Sequence, residues 1–211
     1  MEKKPLSRKE RERLRHRQEI LDKALKLFTE QGFHNVSMQQ IAVASEFAVG
    51  TLYNFFESKE ALFEELIKSS GERIIDTLMV IVDSPGMEVD RLTRFIRYTP
   101  TLLEENAAFI KLYVAELGTR AAKLSSKRDK ENYDAALKVK LEQLIEDGIR
   151  QGVFRPVDPA ITIKALISTI ETLAFEIADQ FDKAAATEIF DKVEQFFIGG
   201  LLKAEGQGND T

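Results

Sequence analysis

The sequence predicts an all-α fold in two parts, a small N-terminal three-helix group containing two short helices joined by a tight turn, and a larger C-terminal helical bundle. Three observations carry that prediction. Apolar residues recur at i, i+3 and i+4, as in Leu52, Phe55 and Phe56, a period that buries one stripe of a helix. Helix-start and helix-stop residues bracket the apolar runs, from Ser7-Arg8-Lys9-Glu10 and Gly32 at the front to Asp158-Pro159 near the end. No strand pattern rises above the helical one, and there is no internal repeat.

Taken in order, Ser7 and Glu10 form a capping box, so the first helix can begin at Arg8 and run to Gln31 over Ile20, Leu21, Ala24, Leu25, Leu27 and Phe28. A second capping box, Ser37 with Gln40, starts the next helix, whose inner residues are Ile41, Ala42 and Ala44. The pattern fails at Ser45-Glu46, and a third helix begins near Ala48. Leu52, Phe55 and Phe56 face inward there, while Val49, Gly50, Thr51, Tyr53 and Asn54 fall mostly on the other side. Two short helices joined in this way form a helix-turn-helix, whose second member can lie in the DNA major groove. Ser58 caps a fourth helix from Lys59 to about Val82, long enough to tie the N-terminal group to the rest.

Ser84-Pro85-Gly86 breaks the chain. A fifth helix, from Glu88 to Tyr98, is expected to stop before Pro100, which lacks a backbone donor and disfavours helix at Thr99. The next run extends from about Thr101 to Ala122, followed by a polar, exposed stretch at 123–129. A seventh helix covers about Lys130 to Gln151, with Ala136, Leu137, Val139, Leu141, Leu144, Ile145 and Ile149 as its interior and Gly152 at its end. Asp158 caps an eighth helix at Pro159, and the apolar residues from Ile161 to Ile177 cover more than one of its faces. The last helix, from about Ala184 to Lys203, adds Phe190, Val193, Phe196 and Phe197. Residues 204–211 are polar and predicted disordered.

Composition removes several function classes. Among the 211 residues there is no cysteine, and histidine occurs only at 16 and 34, which leaves no disulfide framework, no thiolate nucleophile and no Cys/His metal site. No nucleophile–base pair or glycine-rich phosphate loop is present, so no enzyme activity, metal or cofactor is expected. No apolar run approaches the roughly 18 residues of a membrane span, and the basic N-terminus is not followed by an apolar signal core; a cytoplasmic protein with no membrane partner is expected. The net charge is −5, yet residues 1–17 carry eight lysines and arginines against three glutamates. A basic arm is thus joined to an acidic body, and the local field governs contact with phosphates.

Gly50-Thr51-Leu52-Tyr53, followed by Phe56-Glu57-Ser58-Lys59-Glu60 and preceded by Gly32-Phe33, Ser37 and Ile41-Ala42, closely resembles the DNA-binding domain of TetR-family repressors. Glu46 stands where that family usually has glycine, and Ala48 where it usually has serine or threonine. The resemblance implies a basic arm at 1–16, a helix-turn-helix domain at 17–63, a helical ligand-binding and dimerisation domain at 64–203, and a homodimer formed through the last two helices. It further implies that Thr51 and Tyr53 bond phosphates of a double-stranded operator. Lys59 adds a cation and Ser37 a second polar contact, Gly50 permits close approach, Val49 and Asn54 meet base edges, and Gln39 and Gln40 assist. An unidentified small-molecule effector would sit among Phe95, Tyr98, Phe109, Tyr113, Tyr133 and Phe175, oriented by Glu116, Glu171 or Arg97. The expected function is a repressor released from a palindromic operator by that effector. Control by a protein partner, or action as an activator without a small-molecule inducer, is the alternative.

Overall fold

The computed structural model describes residues 6–117, 127–178 and 180–202, apart from the side chains of residues 116, 117 and 127–134. The expectations for the tail at 204–211, for the polar stretch ahead of Lys127 and for the side chains of Glu116 and Tyr133 lie outside the described residues. Among those described, nine α-helices follow in order: α1 (Arg8–Gln31), α2 (Met38–Ala44), α3 (Val49–Phe55), α4 (Lys59–Val82), α5 (Glu88–Glu105), α6 (Ala107–Leu117), α7 (Lys127–Arg150), α8 (Pro159–Ile177) and α9 (Lys183–Leu201). A 3-10 turn, Phe33–Asn35, joins α1 to α2.

The chain divides into two compact units. One extends to Ser70 and takes in a later stretch beginning at Lys111, and the other holds Gly71–Ile110 and the chain from Ser126 onward. The division falls inside α4 and α6, and Leu66 and Leu112 are both buried in the core of the first unit.

In the first unit α1 starts as expected. Ser7 Oγ accepts from Glu10 N at 3.3 Å, and Ser7 N donates to Glu10 Oε2 at 2.8 Å; these bonds hold the Glu10 carboxyl below its ordinary pKa range. The exposed N-terminal half buries no side chain before Ile20, and ion pairs at i,i+4 such as Arg8–Glu12 (3.1 Å) lie along it. Gly32 ends the helix at φ +81°, ψ +151°, backbone that is essentially reserved for glycine. Phe28, Phe33 and Phe63 then pack with ring centroids 4.7–5.7 Å apart around Ile20, Leu21, Ile41, Leu52 and Leu62, all but shut off from solvent.

The second unit packs α5 against α9 and α7, and α7 against α8. Pro100 does not end α5, contrary to the expectation. The helix runs through it to Glu105, because Thr99, Pro100, Leu102 and Leu103 are all buried and that packing offsets the lost donor. The stop comes at Asn106, whose Nδ2 donates to Leu102 O at 2.8 Å. On α7, Leu137, Leu141, Leu144 and Ile145 form the buried stripe, but Ala136 and Val139 point outward, off the helical period of that stripe. Gly148 lies on the stripe because the Phe154 ring seats against it; a Cβ there would lie 2.2 Å from Phe154 Cδ2. Asp158 Oδ1 accepts from Ile161 N at 2.9 Å, as its place before Pro159 predicted.

Candidate nucleic-acid interface

The geometry of the helix-turn-helix begins with how its two short helices end. α2 opens on the Ser37–Gln40 capping box: Ser37 Oγ accepts from Gln40 N at 3.3 Å, while Gln40 Oε1 accepts from Ser37 N at 2.8 Å and from the Ser37 hydroxyl at 2.9 Å. It closes on a Schellman turn, in which Phe47 N donates to Ala42 O (3.0 Å) and Glu46 N to Val43 O (3.2 Å). That turn requires a left-handed residue at its C′ position, and Glu46 occupies it at φ +61°. The glutamate where a glycine is usual therefore holds a backbone conformation that suits glycine. α3 has no such end. Ala48 provides no side-chain cap, and the helix is secured instead by Leu52 and Phe56, both buried.

Two cations brace this unit from either side. Arg17 donates to Phe55 O at 3.2 Å, lies 3.4 Å from Glu65 and stacks 4.7 Å from the Phe56 ring. Lys59 Nζ donates to Phe33 O (2.9 Å) and Val36 O (2.8 Å) and sits 4.4 Å from the Phe33 ring. The lysine expected at a phosphate thus directs two of its three N–H groups to carbonyls just ahead of α2. Ser37 is similarly engaged in its own cap. Neither structural role was legible, since the carbonyls bound by Lys59 lie more than twenty residues upstream and Arg17 is one charge within a basic run.

The remaining predicted DNA contacts are placed as follows. Gln39, Gln40, Gly50, Tyr53 and Asn54 are exposed, Tyr53 at 50%. Gly50 has open space around it, with nothing within 4 Å of a Cβ built there, so no internal contact demands a glycine. Val49 and Thr51 are half-buried, and Val49 packs against the core of the first unit. Sequence reasoning passed over Val43, which beside Gln39 and Gln40 on the outer face of α2 is 79% exposed.

The predicted effector residues are less well gathered. Phe95 is buried in the core of the second unit, with Tyr98 half-buried against it. Phe109 is buried and Phe175 half-buried in the same unit, whereas Tyr113 belongs to the first. The Tyr98 hydroxyl bonds Glu105 at 3.2 Å, and burial with this contact raises its pKa. Glu171 is exposed on the outward side of α8, away from the buried Ile163, Leu166 and Ala174. Arg97 is also exposed, and its hydrogen bond to Glu194 at 2.9 Å, with Asp191 3.8 Å away, raises its pKa.

Residues 20–66 match the bacterial regulatory proteins of the TetR family, and residues 89–194 match the tetracyclin repressor-like C-terminal domain. The chain belongs to the TetR family. TetR-family members are transcription regulators, not enzymes, and this one is 25% identical over 192 residues to the HTH-type transcriptional regulator YhgD of Bacillus subtilis, covering 86% of this chain and 94% of that one. The HTH-type transcriptional repressor KstR2 of Mycobacterium tuberculosis is 27% identical over 142 residues, or 66% of this chain and 70% of that one. In fold, the fatty acid degradation regulator FadR from Bacillus halodurans superposes with a TM-score of 0.74 at 19% identity, over 95% of this chain and 98% of that one. The FadR of Bacillus subtilis, solved in complex with stearoyl-CoA, gives 0.71 at 19% identity, over 87% and 98%. No helix among the described residues of this TetR-family chain is long and apolar enough to cross a membrane.

Proposed function

We propose that this TetR-family regulator is a homodimeric, cytoplasmic repressor that binds a palindromic operator and leaves it when a small molecule binds the second unit. The observation that carries the reading is the braced helix-turn-helix, which presents Gly50, Tyr53 and Asn54 of α3 and Gln39 of α2 to solvent above a packed core. Thr51 and Tyr53 bond phosphates, the third N–H of Lys59 adds a charge, and Asn54 and Val49 read bases. Tyr53→Phe then weakens binding to every sequence, whereas Asn54→Ala changes which sequence is preferred.

A dimer is supported by the outward stripe Ile161, Ala165, Ser168 and Thr172 on α8 and by Phe196, 76% exposed, with Gly199 and Gly200 on α9. A two-fold protein suits two half-sites. The effector is read as lipid-like, supported by the aromatic and aliphatic core of the second unit and by the stearoyl-CoA bound to the FadR of B. subtilis. Tighter binding of that effector to the DNA-incompetent state shifts the population off the operator. Selection of bound duplexes from a random pool tests the reading: a two-fold palindrome is expected, and failure to enrich any sequence would overturn it. Long-chain acyl-CoA added to the selected complex is expected to release the DNA.

A further inference from the structure

From Leu27 to Ser58 the chain contains no lysine or arginine, so neither α2 nor α3 carries a cation. Of the cations around them, Lys26 pairs with Glu30 at 3.9 Å, Arg13 lies 5.9 Å from the Phe55 ring, Arg17 is engaged with Phe55 O and Glu65, and Lys59 with Phe33 O and Val36 O. What α2 and α3 hold out to solvent is amide and methyl surface: Gln39, Val43 at 79% exposure, Asn54, and the half-buried Val49 beside the open Gly50. In the major groove, guanine O6 and N7 are met most often by the paired donors of arginine or lysine. Adenine N6 and N7 are met by the amide of asparagine or glutamine, and the thymine C5 methyl by apolar contact.

Resting on the reading that this surface enters the major groove, we infer that it is directed at A·T pairs: Asn54 and Gln39 pair with adenine, and the methyls of Val43 and Val49 meet thymine methyls. Long-range attraction to phosphates then comes chiefly from the exposed, cation-rich half of α1, which carries no sequence information, while Thr51, Tyr53 and Lys59 add short-range contacts. Much of that half precedes residue 20, where the TetR-family match begins. Reading and long-range attraction are thereby divided between different helices.

The test uses the full chain and the operator obtained by selection. Each thymine in a half-site is replaced in turn by deoxyuridine, which removes only the C5 methyl. The unaltered protein loses about fourfold in affinity at one or more positions per half-site, the scale of one buried methyl group. Either Val43→Ser or Val49→Ser, each of which removes both valine methyls, abolishes that loss, binding both duplexes alike; Val43 is exposed, so its variant keeps the fold, and the loss persisting in both variants overturns the assignment to these valines. A half-site with a G·C core, or indifference to every replacement, overturns the A·T inference and leaves operator binding standing. A pool that yields no preferred sequence removes operator reading and this inference together.

Discussion

Helices α2 and α3 are each seven residues long and share one turn, and both bury a core face, yet only α2 is also held by its ends. The first has a capping box at Ser37 and a Schellman turn at Glu46. The second begins at an uncapped alanine and depends on Leu52, Phe56 and the brace from Arg17. A helix this short is unstable alone, so each must borrow stability, α2 from its end bonds together with Met38, Ile41 and Ala42 in the core, and α3 from tertiary packing alone. The recognition helix is therefore the member most sensitive to its neighbours.

The largest effect should come from removing the side support of α3. Leu52→Ala costs about 3 kcal/mol, measured as a fall in the urea midpoint, whereas a loss below about 1 kcal/mol would show that α3 is not held by its core face. Lys59→Met comes next. It leaves Phe33 O and Val36 O without their charged donor and costs about 2 kcal/mol, read in the same denaturation. Smaller changes of opposite sign sharpen the contrast of ends. Glu46→Gly relieves the left-handed strain at the end of α2 and stabilises by about 1 kcal/mol, which raises Tm by roughly 2–4 °C in a chain of this length. Ala48→Ser gives α3 the cap it lacks and adds about 0.5–1 kcal/mol; an unchanged Tm there would mean that the start of α3 is already satisfied in another way.

Local signals made the helix ends readable. Ser7, Ser37, Asp158 and Gly32 cap or stop helices where spacing placed them, because each acts on backbone groups within a few residues of itself. The departure at Glu46 was visible too, and its φ explains why glycine is usual there. What depends on distant partners was not readable. Pro100 stays inside α5 because the residues around it are buried, Val139 turns outward although it is apolar, and Lys59 turns to carbonyls from another part of the chain. The predicted effector residues suffer most from this limit. Aromatic residues at helical spacing look alike whether they join a core, as Phe95 does, or line a binding site.

The same contrast between local and distant support runs through the DNA-binding proposal, in which α2 and α3 read bases and the start of α1 supplies charge. Neutralising Arg8, Lys9, Arg11 and Arg15, all exposed on α1, by substitution with glutamine tests that division most directly, with affinity for the selected operator followed from about 50 to 200 mM salt. The account predicts a weaker complex with the same preferred sequence and a log–log salt slope shallower by about 0.9 for each phosphate that is no longer neutralised. An unchanged slope would contradict it.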